Sequence, residues 1–237
     1  MSRPGTLYLI PIPIAEEANG TIPTETIEVI HSLRHFTVEN ARTARRFISS
    51  TKPPYQLPEV TVNEIPKHDK TNPDHLLAGI LDGIDFGVMS EAGCPGVADP
   101  GSELVAWAHQ RGIPVKPLVG PSSLLLALMA SGLNGQSFTF HGYLPRDKRD
   151  LSQKLGKLER DAIKYGTAQL FIEAPYRNGQ IVEAATSSLK PSTMLTIAIE
   201  LNSTHEFVRT LSIQSWRKAT LPELHKRPAV FIIGVNP

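Results

Sequence analysis

The run from Asp85 to Gly112 constrains the fold of this chain more than any other. Residues 85–89, Asp-Phe-Gly-Val-Met, read as a short buried strand, and 102–111 read as a helix closed by Gly112. The segment between them, Ser90-Glu91-Ala92-Gly93-Cys94-Pro95-Gly96-Val97-Ala98-Asp99-Pro100-Gly101, is built of small residues and carries two carboxylates. Small residues let a ligand approach the backbone, and prolines set that backbone before anything binds. A strand running out into such a loop and then into a helix is where open α/β sheets hold ligands. The same residues can also serve as a tight connection without one.

The alternation extends to both sides. Residues 6–10 form a strand whose exit, Pro11-Ile12-Pro13-Ile14, cannot lie mid-sheet because each proline removes a ladder donor. Residues 24–34 read as a helix with Thr24 as N-cap and Ile27, Ile30 and Leu33 as its core stripe. Strand 36–38 delivers Glu39, Asn40 and Arg42 to its end, and helix 41–50 places Arg42, Arg45 and Arg46 on one face. Strand 59–65, a polar loop over 66–74 with His68, Asp69 and Lys70, helix 75–83 and strand 113–118 complete this half. Strands alternating with helices predict a parallel sheet with right-handed crossovers.

Pro121 opens a helix over 122–131 that leucines and alanines surround on nearly all sides, which predicts burial. The domain boundary falls just before it, giving domains 1–118 and 119–237. In the second domain strands are expected near 137–141, 167–173, 194–200, 205–211 and 229–235, with helices near 149–165, 178–188 and 216–225. The predicted class is α/β, as two α/β domains with the ligand cleft between them.

Lys and Arg number 24 against 23 Asp and Glu, so nothing drives the whole chain towards nucleic acid and any basic binding surface must be local. The lone Cys94 rules out an internal disulfide and any cysteine-built metal cage, and it fits a reducing compartment. It reads as a bystander thiol, since no histidine adjoins it. No metal site is expected. No apolar run is long enough to span a bilayer, and residues 1–8 lack the layout of a signal peptide, so a soluble cytoplasmic protein is expected.

Three ordered motifs carry a family likeness: Glu91-Ala92-Gly93-Cys94-Pro95-Gly96-Val97-Ala98-Asp99-Pro100-Gly101, then Gly112-Ile113-Pro114-Val115, then Gly120-Pro121-Ser122-Ser123. They resemble S-D-A-G-T-P, S-D-P-G, G-I-P-V and P-G-P-S-A of the tetrapyrrole methylase superfamily, and within it the ribosomal RNA small-subunit methyltransferase I family. Ala130-Ser131-Gly132-Leu133 and Gly142-Tyr143-Leu144-Pro145-Arg146 continue the likeness. Glu173-Ala174-Pro175-Tyr176-Arg177 is similar to E-S-P-H-R, and His205-Glu206-Phe207-Val208-Arg209 to H-E-E-F-x-R. The chain departs from the family at Glu91, where an aspartate is usual, at Glu39-Asn40-Ala41-Arg42 for E-D-T-R, and at Pro11-Ile12-Pro13-Ile14-Ala15-Glu16 for P-T-P-I-G-N.

The resemblance implies S-adenosylmethionine as methyl donor, a homodimer, and RNA as substrate at a cytidine ribose 2′-hydroxyl of the small ribosomal subunit. A small-molecule acceptor such as a tetrapyrrole, or a donor-binding protein without catalysis, are the alternatives. The implied donor cradle is Pro11, Ile12, Pro13, Ile14, Glu91, Ala92, Gly93, Cys94, Pro95, Gly96, Val97, Asp99, Ser122, Ser123 and Ile172. Ser122 and Ser123 could equally be simple helix caps. The candidate catalytic residues are Glu39, Arg42, His205 and Glu206, with Asp99 and Glu173 as further candidate bases. Arg42, Arg45, Arg46, Arg146, Lys148, Arg149, Lys154, Lys157, Arg177 and Arg209 are candidates for RNA phosphates or for solvated faces.

Overall fold

The computed structural model describes residues 3–16, 18–66 and 71–235 and divides into two units, Met1–Ser122 and Ser123–Pro237. His68, Asp69 and Lys70 of the expected polar loop lie outside the described residues. In the first unit the order is β1 (Leu7–Leu9), α1 (Thr24–Ser32), β2 (His35–Val38), α2 (Ala41–Ser50), β3 (Thr61–Glu64), α3 (Pro73–Leu76), β4 (Phe86–Met89), α4 (Ser102–Gln110) and β5 (Val115–Pro117). Its strands pair only in parallel, in the order β3-β2-β4-β1-β5. Strand β4 is buried throughout, as both faces of a helix-covered parallel sheet require. One core, including Ile10, Ile30, Phe36, Phe47 and Met89, forms under α1 and α2. Another, including Leu7, Leu77, Val88, Leu104 and Trp107, forms under α3 and α4.

The second unit contains α5 (Ser123–Ser131), β6 (Phe138–Tyr143), α6 (Lys148–Tyr165), β7 (Ala168–Ile172), α7 (Asn178–Ser188), β8 (Met194–Ile199), β9 (Phe207–Ser212), α8 (Ile213–Trp216) and β10 (Ala229–Gly234). Its sheet runs β6-β7-β10-β8-β9. Strands β6 and β7 are parallel, whereas β10 and β9 pair antiparallel to their neighbours. Leu151, Leu155 and Leu158 of α6 and Ile181, Val182 and Ala185 of α7 pack on Phe171, Ile197 and Phe231. That spacing is the one-sided stripe expected of a helix on a sheet.

Several elements differ from the sequence expectation, each for a local reason. Thr24 is the first helical residue rather than the cap, because Pro23 holds the extended N-cap position without a side-chain bond. The helix expected over 75–83 splits into α3 and a 3-10 turn, Ile80–Asp82, between Gly79 at φ 95° and Gly83 at φ 101°. Left-handed glycines end helices. The helix expected over 216–225 is replaced by the short α8, capped by Ser212. Trp216 donates its indole N–H to Leu195 O at 2.8 Å and ends the helix in the core, and Pro222 disfavours a helical residue before it. Helix α5 is buried on one side only: Leu124, Ala127 and Leu128 face inward, while Leu125 and Met129 are exposed.

Candidate functional site

Strand β1 sits between β4 and β5, and β4 between β1 and β2, so the chain order reverses about the β1–β4 pair. At such a reversal two crossovers leave in opposite directions and open a crevice at the carboxyl ends of the strands. The two segments singled out above emerge there side by side. Ile12 and Gly93 exchange backbone hydrogen bonds, Ile12 N to Gly93 O at 3.0 Å and Gly93 N to Ile12 O at 3.1 Å. Gly93 and Gly96 take φ of 70° and 79°, and Ala98, at φ 64°, bends the loop without being glycine. Cys94 Sγ donates to Pro121 O at 3.4 Å, and burial, with the Asp99 charge second, pushes its pKa up, so it stays a thiol.

Strand β2 ends on the same edge and supplies the charge. Glu39 Oε2 accepts from Glu91 N at 2.9 Å, and Asn40 donates its side-chain N–H to Glu91 Oε1 at 2.8 Å. Asn40 Oδ1 also accepts from Arg42 N and Thr43 N, while Glu64 Oε1 accepts from Ala41 N at 2.6 Å. Together they satisfy three free donors in the first turn of α2. Asn40 thus supplies both a helix cap and a hold on Glu91. Asn40→Ala is expected to cost about 1 kcal/mol of stability through the lost cap. Chemical denaturation of the two proteins checks this.

Glu39, Glu91 and Asp99 form an acidic cluster around the start of the β4 loop. The Asp99 carboxyl is pushed up to about 6, first by burial and then by the Glu39 and Glu91 charges, with a Ser90 hydrogen bond pulling it back. Like charges that crowd one another favour a proton or a cation among them. A cavity of about 410 Å³ lies against Glu39, Pro100 and Ser102. Another of about 420 Å³ is lined by Pro13, Ile14, Glu16, Glu91 and the Thr43, Arg46, Phe47 and Ser50 face of α2. Sequence reading named Arg46 only as a candidate for phosphates and missed Thr43, Phe47 and Ser50, although spacings of three, four and seven from Thr43 place all four on one helical face. Arg42 and Arg45 are exposed, and Arg46 pairs with Glu16 at 3.1 Å.

Pro11 to Ile14, Glu91 to Val97, Asp99 and Ser122 belong to the first unit, together with Glu39 and Arg42. Ser123, the first residue of α5, and Ile172, the last of β7, belong to the second. So do His205 and Glu206, which precede β9 rather than lying in it. Their polar groups close the turn after β8. Glu206 Oε2 accepts from Asn202 N at 2.6 Å, and Arg227 Nη2 donates to His205 O and to Glu200 Oε2, both at 2.6 Å. Two expectations change on burial. Glu173 and Arg177 form a buried ion pair at 2.8 Å, which leaves Arg177 no reach to a phosphate and closes Glu173 to an acceptor.

No protein-family model matches the sequence. The fold is that of the tetrapyrrole methylase proteins: a crystal structure of the methyltransferase CobJ superposes with a TM-score of 0.62 at 18% identity, covering 99% of this chain and 95% of the other. Among curated sequences, a ribosomal RNA small subunit methyltransferase I from Synechocystis sp. is 31% identical over 216 residues, 90% of this chain and 70% of its own length. Another of that name from Vibrio cholerae is 28% identical over 207 residues, covering 87% and 68%. The class is therefore methyltransferase. Within that class the chain belongs to the ribosomal RNA small subunit methyltransferase I family.

Proposed function

We propose that this chain transfers a methyl group from S-adenosylmethionine to RNA, at a cytidine ribose 2′-hydroxyl of the small ribosomal subunit. The observation that carries the reading is the carboxylate group of Glu39, Glu91 and Asp99, set at the strand reversal of a chain from this family. When bound, the donor supplies an already activated methyl on a positive sulfur. The chain's part is then chiefly placement, and orientation alone is worth roughly 7–11 kcal/mol in well-placed reactions. Pro11 to Ile14 and Glu91 to Val97 offer a stiff, close-approach backbone, and the acidic cluster offers charge for a cationic ligand. Ser122, Ser123 and Ile172 complete the proposed cradle. Glu39 and Asp99, both half-buried, are the proposed carboxylates for an acceptor proton, the exposed Arg42 is proposed to meet a phosphate, and His205 and Glu206 serve the reaction through the turn they close.

The pH dependence follows from Asp99. Its folded pKa of about 6 lies above the ordinary 3.8, so between about pH 4 and 6 the folded chain holds more protons than the unfolded one. Stability therefore falls as pH rises through that window. Asp99→Asn is expected to unfold at a higher temperature than the parent at pH 7.5 and to lose the advantage at pH 4. Donor affinity should run the other way in the parent protein, strengthening as Asp99 ionises above about pH 6. Thermal melts and calorimetry at the two ends of the range read both effects.

A homodimer is part of the proposal, supported by Leu125 and Met129, which stand four apart on the open face of α5 at 52% and 79% exposure. Exposed apolar side chains on one face mark an interaction surface. Leu125→Glu with Met129→Glu is expected to give a monomer by light scattering. An rRNA substrate places the action in the cytoplasm; no described helix is long and apolar enough to cross a membrane. The deciding experiment is transfer of labelled methyl to small ribosomal subunits from a strain lacking this enzyme. Label in a cytidine ribose is the expected result. Label in a porphyrin precursor instead, or donor binding without transfer, would overturn the RNA assignment.

A further inference from the structure

We infer that the second unit carries a stacking platform for unpaired nucleobases, formed by Tyr143 and Tyr176 at the carboxyl ends of β6 and β7; it rests on the RNA reading above. These two strands are the parallel pair in a sheet whose other pairings are antiparallel. Their outgoing loops therefore leave the same edge, the edge at which α/β sheets take ligands. Tyr143 is the last residue of β6 and lies opposite Ile172, the last of β7. Tyr176 follows four residues later in the turn Pro175–Arg177. The two side chains are 64% and 62% exposed, so neither is held by the core.

The backbone that presents them is fixed. A register shift between Phe140 and Tyr143, with Gly142 at φ 63°, interrupts the β6–β7 ladder just before Tyr143. Bulges are uncommon between parallel strands, and near binding sites they re-aim a side chain. His141 within the bulge is pinned by Gln169 Oε1 at 2.7 Å. Arg177 donates to Pro145 O at 2.9 Å and pairs with Glu173, tying the two loops together, and Lys226 N holds Pro175 O at 3.2 Å. Rings on a fixed backbone lose little freedom when a ligand lands on them.

The chemistry of the edge selects the ligand. Tyrosine faces stack on any base, and Arg146 and Lys148, both exposed in the loop and first turn that follow Tyr143, supply charge for the phosphates between bases. Splayed single-stranded bases can reach such rings, whereas stacked bases of an A-form duplex cannot. The platform thus recognises an unpaired stretch of the RNA, without reading its sequence.

The test is fluorescence anisotropy of the full chain with a short labelled single-stranded pyrimidine oligoribonucleotide, alone and annealed to its complement, with no methyl donor present. Tyr143→Ala and Tyr176→Ala are each expected to weaken single-strand binding about tenfold. Tyr143→Phe and Tyr176→Phe should stay near the parent, and duplex binding should be unmoved by any of the four. The alanine changes should leave the salt dependence intact, whereas Arg146→Ala should lower the slope of log affinity against log salt by about 0.7. Parent-like binding by both alanine variants overturns the platform, as does an equal loss in the phenylalanine variants or no single-strand binding by the parent. Calorimetry of the parent with S-adenosylmethionine judges the methyltransferase reading separately. Donor binding without tyrosine dependence removes the platform alone, and tyrosine-dependent RNA binding without donor binding removes that reading alone.

Discussion

Arg177→Met is expected to destabilise the second unit by about 3–5 kcal/mol, the range for removing one partner of a buried ion pair. The Arg177 and Glu173 side chains are 8% and 2% exposed and meet at 2.8 Å between Nη1 and Oε2. The contact is ionic rather than a directed hydrogen bond, because Glu173 Oε2 has no hydrogen-bond partner among the described residues. Glu173 Oε1 accepts from Ala174 N at 2.8 Å, so the carboxylate has little else to lean on. Without the guanidinium it would be a buried, unpaired charge, and Pro145 O would lose its donor as well. Glu173→Leu combined with Arg177→Met should recover most of the loss, since an apolar pair of similar volume costs little. Urea unfolding followed by circular dichroism measures all three proteins. A loss under about 1 kcal/mol for Arg177→Met, the scale of an exposed pair, would show that the two charges are solvated.

Gly120→Ala should have the second large effect, and on activity more than on stability. A Cβ at this position would stand 2.4 Å from Pro11 Cβ and 2.8 Å from Pro11 Cγ. A proline ring cannot swing aside, so the segment after β5 must part from the segment after β1. Val119 O, which accepts from Thr26 Oγ1 at 2.9 Å, resists movement on the other side. Overpacking of this kind costs roughly 1–3 kcal/mol. Displacing the proposed donor cradle by about 1 Å can lower methyl transfer about 100-fold. Gly179→Ala is the control, because among the described residues no atom beyond its chain neighbours and the backbone of its own helix lies within 4 Å of the added carbon. If Gly120→Ala keeps parental donor affinity and turnover, Pro11 is no part of the site.

Element positions were legible where one residue type decides them. Helices α2 and α7 begin and end where the sequence pattern places them, at Ala41–Ser50 and Asn178–Ser188. Strands were located by apolar runs, with ends that match or shift by at most two residues. What local pattern cannot see is a partner far along the chain. The indole of Trp216 is claimed by Leu195 O, which shortened a helix, and the exposed side of α5 has the same leucine-rich composition as its buried side. The segments of the candidate site were visible through small residues and through family likeness. Its electrostatics were not, since Glu39, Asn40 and Glu91 meet only because β2 and β4 are neighbours. Arg177 shows the reverse error, a basic residue assigned to the surface by type and held inside by Glu173.

The parallel order of the first sheet also sets a timetable for biosynthesis. Among the described residues, strand β1 pairs with Phe86–Met89 and Val115–Pro117, so neither of these partners is available to it until translation has passed those segments. Long-range pairings of this sort slow folding. The second unit instead holds an antiparallel β8–β9 pair close in sequence, able to form soon after it emerges. A nascent chain arrested before Val115 would therefore leave β1 without one of its two neighbours.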